Sequence, residues 1–288
     1  RLRTDFCCAS FGLWRWICGE VTKSKFTYWQ RARLFGRYGD VWCAALLSSY
    51  SFTTKFFSTT RQRGKVVYYL HAAVIGMDKI KTKQIWQGTD LPTAPYRIIS
   101  KDSNIDEIVD SLGLPVIIKP VHEGSSIGMS KVEKKEDFAQ AIAKATEHDA
   151  IVMAEKWITG CEYTIVVLNG EALPVIRLEP PKDVAFYDYD AKYQRNDVQY
   201  GIPSGLSESD EKQLQQLTLR AFQAVGASGW GRVDAMQDEQ GNFWLLEINT
   251  VPGMTSHSLV PKAAKAVGVG FDELCVAILE QTLQGTAH

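Results

Sequence analysis

Two short apolar stretches joined by a polar turn constrain this chain more than any other feature of its sequence. Residues 231–236 and 243–246 have the apolar character of buried strands, and Asp238-Glu239-Gln240-Gly241 lies between them. Short apolar runs bounded by Asp and Gly are typical of a β-hairpin. The sequence therefore predicts a hairpin here, and its polar residues are the first candidates for a site.

Three oxygen-bearing side chains fall at one end of this predicted hairpin: Asp234 in the first strand, and Glu247 and Asn249 after the second. Residues two apart project from the same side of a strand. Carboxylate and amide oxygens with no Cys nearby suit Mg²⁺ or Mn²⁺ better than zinc. The alternative is that Asp234 and Glu247 only form structural ion pairs with Arg232 at a sheet edge. The hairpin alone leaves both interpretations open.

The class of protein is limited by length, apolar content and cysteine usage. At 288 residues, with 45% hydrophobic and 23% charged residues, the composition is that of a soluble globular protein. The sequence contains no run of the roughly 18–20 apolar residues that a membrane span needs. The six cysteines form neither a disulfide framework nor a metal-binding spacing. We therefore expect reduced thiols, a cytoplasmic location and no membrane partner.

The first 70 residues show no sustained helical or strand period, although they are rich in Arg, Trp, Ser and Cys. A mixture of basic and aromatic residues is found on nucleic-acid-binding surfaces. Nothing groups these residues on one face, however, so we expect no nucleic-acid partner.

From about residue 72 the sequence predicts alternating helices and strands. Ser103-x-x-Asp106 and Ser207-x-x-Asp210 have the form of helix N-caps, and Gly113 closes the first of these helices. Asn169-Gly170 predicts a tight hairpin. Residues 180–206 form a long polar and aromatic loop, of a length that is usual for lids and binding loops.

Several residues are candidates for binding a nucleotide. Lys119 ends a predicted strand and is followed by a loop of small residues, 122–128, whose backbone N–H groups could surround phosphates. Lys79 is a second candidate cation. The alternatives are an ordinary Gly-rich turn between strands and a solvated lysine beside Lys81 and Lys83.

The stretch Glu155-Lys156-Trp157-Ile158 ends another predicted strand and could present backbone N–H and C=O groups to an adenine edge, while Glu162 could accept ribose hydroxyls. A strand with solvent-facing charges is an equally good interpretation of these residues alone. Residues 186–193 place three tyrosines, a lysine and two aspartates in one loop, a density that favours a functional role.

Six of these motifs together resemble the bacterial D-alanine–D-alanine ligases of the ATP-grasp superfamily, in order and spacing, over about residues 72–284. The motifs are Lys119, the loop 123–128, Glu155-Lys156-Trp157, the loop 187–193, Gly229-Trp230-Gly231-Arg232-Val233-Asp234, and the stretch from Glu247-x-Asn249 to Leu259. The resemblance implies an α/β (α+β) ATP-grasp fold, with ATP between two lobes of antiparallel sheet behind a Rossmann-like N-terminal lobe. It divides the chain into residues 1–75, 76–165 and 166–288.

The resemblance also implies a role for each matching residue. ATP would contact Lys79 and Lys119 through its phosphates, residues 155–158 through adenine, and Glu162 through ribose. Two Mg²⁺ or Mn²⁺ ions would be held by Asp234, Glu247 and Asn249. The remaining implied contacts to the two D-alanine subsites and the reacting atoms involve Ser125, Tyr187, Lys192, Tyr193, Arg232, Gly253, Ser258 and Leu259.

In the reaction that the resemblance implies, ATP phosphorylates the carboxylate of one D-alanine, and the amino group of a second D-alanine attacks the acyl phosphate. Arg232 and the Gly253 N–H would stabilise the oxyanion, Ser258, Leu259 and Lys192 would bind the second carboxylate, and Ser125 would hydrogen-bond Tyr193. The product, D-alanyl-D-alanine, is a peptidoglycan precursor. The family resemblance also implies a homodimer.

Residues 1–70 depart from the family pattern. The Gly-Gly-x-Ser-x-Glu-Arg and His-Gly-x-x-Gly-Glu-Asp-Gly motifs, which bind the first D-alanine in the family, do not occur in them, and residues 35–40 are the nearest match. A shifted or mis-assigned reading frame and a genuine replacement of the lobe both account for this. A catalytically defective ATP-binding module and a different carboxylate–amine ligase therefore remain alternatives to the D-alanine ligase.

Overall fold

The computed structural model of the chain describes residues 70–100, 103–179, 199–255 and 258–283. These residues belong to one compact unit that spans residues 63–288. The predictions for residues 1–69 and for Tyr187, Lys192 and Tyr193 lie outside the described residues. The proposed division into lobes at residues 75 and 165 stays a prediction.

Residues 70–77 are helical, and the elements that follow are numbered here in chain order. They are α1 (Lys79–Gly88), β1 (Tyr96–Ile99), α2 (Ile105–Leu112), β2 (Val116–Pro120), β3 (Ser130–Val132), a 3-10 turn (Lys135–Asp137), α3 (Phe138–Thr146), β4 (Val152–Lys156), β5 (Gly160–Leu168), β6 (Glu171–Ala172), β7 (Ile176–Glu179), β8 (Gln199–Gly201), α4 (Glu208–Ala224), β9 (Trp230–Asp238), β10 (Phe243–Asn249), α5 (Leu259–Ala266) and α6 (Phe271–Leu283). None of the described helices is long and apolar enough to cross a membrane.

The first sheet has four antiparallel strands in the order β1-β4-β2-β3. Helices α2 and α3 cover one of its faces, where Val116 and Ile118 of β2 meet Val152 and Ala154 of β4 in a shared core with Phe138. Side chains alternate between the two faces of a strand. Lys119 and Glu155 therefore lie on the opposite face of this sheet.

The second sheet is also antiparallel, in the order β10-β9-β5-β7-β8, with β6 paired to β5. One face packs against α4, whose apolar residues Leu214, Leu217, Ala221 and Phe222 are buried together with Val225. Trp86 of α1 joins this core and donates from Nε1 to the Ala221 carbonyl at 3.0 Å. The other face of the sheet carries the polar residues of β5, β9 and β10.

Local signals in the sequence predicted several of these elements correctly. The Ser207 side chain caps α4 by accepting from the Asp210 N–H, and Asn169 and Gly170 both have the positive φ angles of the predicted turn. Two predictions were wrong in detail. Asn104, rather than Ser103, caps α2 because its side chain accepts from the Asp106 N–H. Residues 199–201, predicted as loop, form β8 because they pair with β7.

Candidate functional site

A β-bulge directs the predicted metal ligand Glu247 toward the polar face of the second sheet. Leu245 is buried in the core beneath this sheet, so strict alternation would place Glu247 in the same core. The register between β10 and β9 shifts between Leu245 and Glu247, so Glu247 lies opposite Asp234. Ile248 then returns to the core and Asn249 lies opposite Arg232. The bulge therefore places Glu247 beside Asp234, and bulges are frequent next to active sites.

Asp234 lies at the centre of this polar face and contacts three strands. Arg232 donates from Nε to Oδ1 and from Nη2 to Oδ2, both at 2.8 Å. Thr164 of β5 donates to Oδ1 at 2.5 Å, and Asn249 donates from Nδ2 to Oδ2 at 3.3 Å. The ion pair with Arg232, one of the two interpretations of the sequence, is thus present. It coexists with the convergence of Asp234, Glu247 and Asn249 that the other interpretation requires.

The chemistry of these donors fits a magnesium or manganese ion. Asp234, Glu247 and Asn249 supply two carboxylates and one amide, which are hard oxygen ligands. Over the described ranges no three His, Cys, Asp or Glu side chains cluster in a way that could hold a metal by themselves. Mg²⁺ is seldom enclosed by protein ligands alone and usually binds substrate oxygens as well. These three side chains are therefore a suitable partial set of ligands for it.

A buried charge cluster occupies the polar face of the first sheet. Glu155 of β4 is 2% exposed, and its Oε1 lies 3.0 Å from the Lys119 ammonium of β2. Its Oε2 lies 2.8 Å from the Nζ of Lys83, a residue of α1 with no exposed surface. The Oε2 contact lacks hydrogen-bond geometry and is an ion pair only. Two lysines therefore share one carboxylate inside the protein.

The charges of this cluster shift the pKa values of its members. Burial alone would raise the pKa of Glu155, but the charges of Lys119 and Lys83 and the hydrogen bond from Lys119 outweigh it, so the pKa lies below its ordinary value. Burial lowers the pKa of Lys83 to about 8, against the opposing attraction of Glu155. Glu247 also acts on the pKa of Lys83, in the raising direction. Lys83 therefore interacts electrostatically with a carboxylate on each sheet, Glu155 on the first and Glu247 on the second.

Lys79 and the predicted phosphate loop are in contact. The Lys79 ammonium donates to the Val121 carbonyl at 3.4 Å and to the Glu123 carbonyl, at the start of the loop. Ser125 and Ser126 have φ angles of 57° and 60°. Non-glycine residues adopt this left-handed region at a cost and are enriched in it at functional sites. The loop is thus tied to α1 next to a lysine, as a phosphate site requires.

His122 anchors the other side of this loop. Its backbone N–H donates to Asp149 Oδ2 at 2.7 Å and its Nδ1 lies 2.9 Å from the same oxygen. Its Nε2 lies 3.5 Å from Asp78, the residue that caps α1. Burial would raise the pKa of Asp149, but hydrogen bonds from Ile151 and His122 lower it. His122 therefore links the loop to the N-terminus of α1.

Two backbone N–H groups of residues 155–158 already donate hydrogen bonds within the fold. The Lys156 N–H donates to the Pro95 carbonyl at 2.8 Å and the Trp157 N–H to the Pro115 carbonyl at 3.2 Å. Pro95 has no N–H to return a bond to the Lys156 carbonyl. An adenine edge would therefore be read by the Lys156 carbonyl and the Ile158 N–H rather than by the two N–H groups already donated. The Glu155 side chain, in turn, binds lysines inside the protein.

The predicted carboxylate site after β10 is compact. Ser258 Oγ accepts from the Thr255 N–H at 3.0 Å, and a Cβ placed on Gly253 would lie 3.0 Å from the same Oγ. Ser258 directly precedes α5, and Leu259 is its first residue. A helix N-terminus offers unpaired N–H groups to an anion. Gly253 and Ser258 therefore lie close together, at the N-terminus of α5 where Leu259 begins the helix.

Sequence reasoning missed Lys83, Thr93 and Thr164. Lys83 was named only as a neighbour of Lys79, but it lies four residues after Lys79, and residues at this spacing share a helix face. Trp86, three residues further, continues the same buried face. That periodicity was the available signal. The sequence carries no comparable signal for Thr93 and Thr164, because the contacts that give them a role are with strands distant in the chain.

A cavity of about 410 Å³ lies elsewhere, between β1, α2 and α3. Its lining includes Ile99, Ile105, Phe138 and Ile142, and it contains none of the predicted site residues. It therefore adds nothing to the site on the sheets.

The chain is similar to known proteins over about three quarters of its length. The sequence model of the family described as "D-ala D-ala ligase C-terminus" matches residues 85–280. The D-alanine–D-alanine ligase of Acinetobacter baylyi strain ADP1 is 84% identical over 219 residues, which cover 76% of this chain and 71% of that protein.

Two solved structures give the same result. The D-alanine–D-alanine ligase from Bacillus anthracis superposes with a TM-score of 0.66 and 32% identity, over 74% of this chain and 69% of that one. A structure of that ligase complexed with ATP gives a TM-score of 0.64 and 29% identity, over 74% and 68% of the two chains. The antiparallel sheets therefore have the arrangement of the ATP-grasp fold, as predicted.

Proposed function

This chain belongs to the D-alanine–D-alanine ligase family, and from that premise we propose how its described residues divide the work of the reaction. It is an ATP-dependent, ADP-forming ligase that joins two D-alanine molecules for peptidoglycan precursor synthesis. The observation that carries the residue-level proposal is the pair of polar sheet faces. One face bears Lys119 and Glu155, and the other bears Asp234 and Glu247. Lys83 interacts electrostatically with Glu155 on the first sheet and with Glu247 on the second.

The nucleotide binds along the polar face of the first sheet. Lys79 and Lys119 contact its phosphates under the loop of Ser125, and both ammonium groups approach from partly enclosed positions where charge is weakly screened. The Lys156 carbonyl and the Ile158 N–H read adenine, and Trp157 flanks this edge. Glu162 accepts from ribose, because it lies on the same face of β5 as Thr164.

Asp234, Glu247 and Asn249 hold two Mg²⁺ or Mn²⁺ ions. When bound, the metal neutralises the phosphate oxygens and the charge that develops during transfer. Arg232 orients Asp234 through its two hydrogen bonds. The bulge at residues 245–247 keeps Glu247 turned toward the same space. The chain thus supplies the orientation of the ligands, and the metal supplies the positive charge.

The two D-alanine molecules react next to these ligands. The carboxylate of the first takes the γ-phosphoryl group and ADP leaves, and the amino group of the second then attacks the acyl carbon and releases phosphate. Arg232 and the Gly253 N–H stabilise the oxyanion. Ser258, the Leu259 N–H and Lys192 bind the second carboxylate. The family resemblance further implies a hydrogen bond between Ser125 and Tyr193 at the substrate site.

The assay that tests this function measures D-alanine-dependent phosphate release and dipeptide formation from ATP, Mg²⁺ and D-alanine. We expect stoichiometric phosphate and D-alanyl-D-alanine. ATP binding without dipeptide would reject the ligase in favour of the defective ATP-binding module. Turnover with another acceptor amine but not with D-alanine would identify a different carboxylate–amine ligase.

The proposed partners and location extend the same premise. We expect a homodimer, which sedimentation analysis tests directly, and a reaction in the cytoplasm, where cell fractionation would find the activity. An intact-mass measurement would establish whether residues 1–70 are present as written, which decides whether the first D-alanine is anchored by this chain's own N-terminal residues.

A further inference from the structure

We propose that Lys83 is a positioning residue for ATP: by sharing the Glu155 carboxylate with Lys119, it keeps the Lys119 ammonium available to the nucleotide phosphates. The inference rests on the proposed contact between Lys119 and ATP. It assigns a role to a lysine that touches neither substrate nor metal in the scheme above.

Burial makes the charge balance of this cluster decisive. Lys83 is 0% exposed, Glu155 2% and Lys119 5%. A buried carboxylate must be compensated by nearby cations, because its water shell has been removed. With both lysines present the cluster carries a net charge of +1. Without Lys83 it is neutral, and Glu155 binds Lys119 as its sole partner.

Each of the two lysines contacts a different oxygen of the Glu155 carboxylate. Lys119 holds only Oε1, at 3.0 Å, and Lys83 lies against Oε2, at 2.8 Å. An ammonium group has three N–H donors. Lys119 therefore donates one N–H to Glu155 and keeps its other N–H groups for phosphate oxygens. Loss of Lys83 would draw Lys119 toward both carboxylate oxygens and weaken its hold on the nucleotide.

A second set of contacts connects Lys83 to the strand that carries the metal ligands. The Lys83 ammonium donates to Thr93 Oγ1 at 2.5 Å, and Thr93 Oγ1 donates to the Leu245 carbonyl at 2.9 Å. Leu245 immediately precedes the bulge that directs Glu247. Lys83 is thus connected to the nucleotide side through Glu155 and to β10 through Thr93.

A purely structural role for Lys83 makes a different prediction. A core position on α1 could be filled by an apolar side chain, as at Ile80 and Trp86 on the same helix. Removing one partner of a buried ion pair lowers stability, because the remaining charge is less well compensated. If Lys83 only packs the core, its replacement changes the melting temperature and leaves nucleotide affinity unchanged.

The experiment compares Lys83→Met with Lys81→Met, a control on the exposed side of the same helix. Binding of Mg²⁺–ATP is measured by calorimetry without D-alanine, and folding by thermal melting. We expect Lys83→Met to bind ATP about tenfold or more weakly, the range of a lost charge-assisted contact. We expect Lys81→Met to bind like the natural chain. Unchanged affinity in Lys83→Met would overturn the proposal.

The double variant Lys83→Met/Glu155→Gln tests the route through Glu155. It removes one charge of each sign, so the cluster returns to +1 and Lys119 is released. We expect its ATP affinity to recover to within about threefold of the natural chain, a difference of less than 1 kcal/mol. An affinity as weak as that of Lys83→Met would refute the sharing of Glu155.

If Lys83→Met does not fold, Lys83→Gln replaces it, because it also removes the ammonium charge and the proposal expects the same loss of about tenfold in ATP affinity from it. Unchanged affinity in that variant would contradict the proposal. All of these measurements omit D-alanine. A natural chain that binds ATP but forms no dipeptide would therefore reject the ligase function and still test Lys83.

Discussion

Arg232 holds both carboxylate oxygens of Asp234, each at 2.8 Å, on the polar face of the second sheet. Paired hydrogen bonds of this kind fix orientation as well as charge. The two residues were assigned separate roles from the sequence, one in stabilising the oxyanion and one in binding metal. Their pairing means that the metal ligand and the oxyanion donor are positioned as one unit.

Arg232→Met separates these two roles. The loss of an oxyanion donor lowers kcat by about 10²–10³. The carboxylate of Asp234 loses a competing cation as well as the group that orients it, so the Mg²⁺ concentration for half-maximal activity should change much less than kcat. Initial rates across a Mg²⁺ titration measure both quantities. A rise in the Mg²⁺ requirement that accounts for the whole loss of rate would show that Arg232 acts only through Asp234.

Glu247→Gln should give the opposite pattern. Removing one carboxylate from the hairpin weakens binding of the metal–nucleotide complex and reduces turnover about tenfold or more, since a ligand charge is lost. Excess Mg²⁺ should recover part of the rate. Glu239→Gln, in the exposed turn of the same hairpin, is the matched control and should leave the rate unchanged. Equal rates for Glu247→Gln and the natural chain would refute its role as a ligand.

How far the sequence could predict this site depended on whether the signal was local. The cap at Ser207 and the turn at Asn169 lie within a few residues of the groups that they bond, so their patterns were sufficient. The convergence of Asp234 with Glu247 also followed from one hairpin. The sequence could not show the bulge after Leu245 that produces this convergence, because a bulge is defined only by the pairing of β10 with β9.

Long-range contacts account for what the sequence could not show. Glu155 was associated with adenine because of its position in a motif, yet its side chain turns inward to Lys83, 72 residues away along the chain. β8 is a strand only because β7 lies beside it. Such features depend on which distant elements meet, and no periodicity within a single segment encodes them.

Gly231→Ala should disturb the metal site through packing. A Cβ at residue 231 would lie 2.6 Å from the Phe222 ring and 2.9 Å from the Asn249 carbonyl, so Phe222 or β10 must move. We expect a loss of about 1–3 kcal/mol in the free energy of unfolding, typical of overpacking. Because Asn249 is displaced, the Mg²⁺ requirement should also rise.

Gly88→Ala is the control for that substitution. Gly88 is exposed at the end of α1 with nothing within 4 Å of the added Cβ. Alanine in a helix is favoured over glycine by about 0.5–1 kcal/mol. Urea unfolding of both variants checks the pair. If Gly231→Ala were as stable as Gly88→Ala, the close approach of β9, β10 and α4 would not constrain this position.

The lowered pKa of Lys83 predicts a pH dependence of ATP affinity. Burial brings the pKa to about 8, so the ammonium loses its charge within the mildly alkaline range. The cluster with Glu155 and Lys119 then falls from +1 to neutral. Calorimetry at about pH 7.5 and about pH 9.5 should show weaker ATP binding at the higher pH, and Lys83→Met should show a smaller change, because it lacks the titrating group. The same loss of affinity in both proteins would assign the dependence to another group.

The free energy of unfolding should change in the opposite direction with pH. An unfolded lysine keeps its proton up to about pH 10.4, whereas folded Lys83 releases it near 8. Between these values the unfolded chain binds more protons, so this residue's contribution to stability rises with pH and is lost as the pH falls through 8. The stability of the natural chain relative to Lys83→Met, from urea unfolding, should therefore increase from about pH 7.5 to about pH 9.5. A constant difference would mean that the ammonium of Lys83 keeps its proton in the folded protein throughout this range. Stability and ATP affinity therefore respond to the same proton with opposite sign, because the charge that is costly to bury is the charge that positions Lys119.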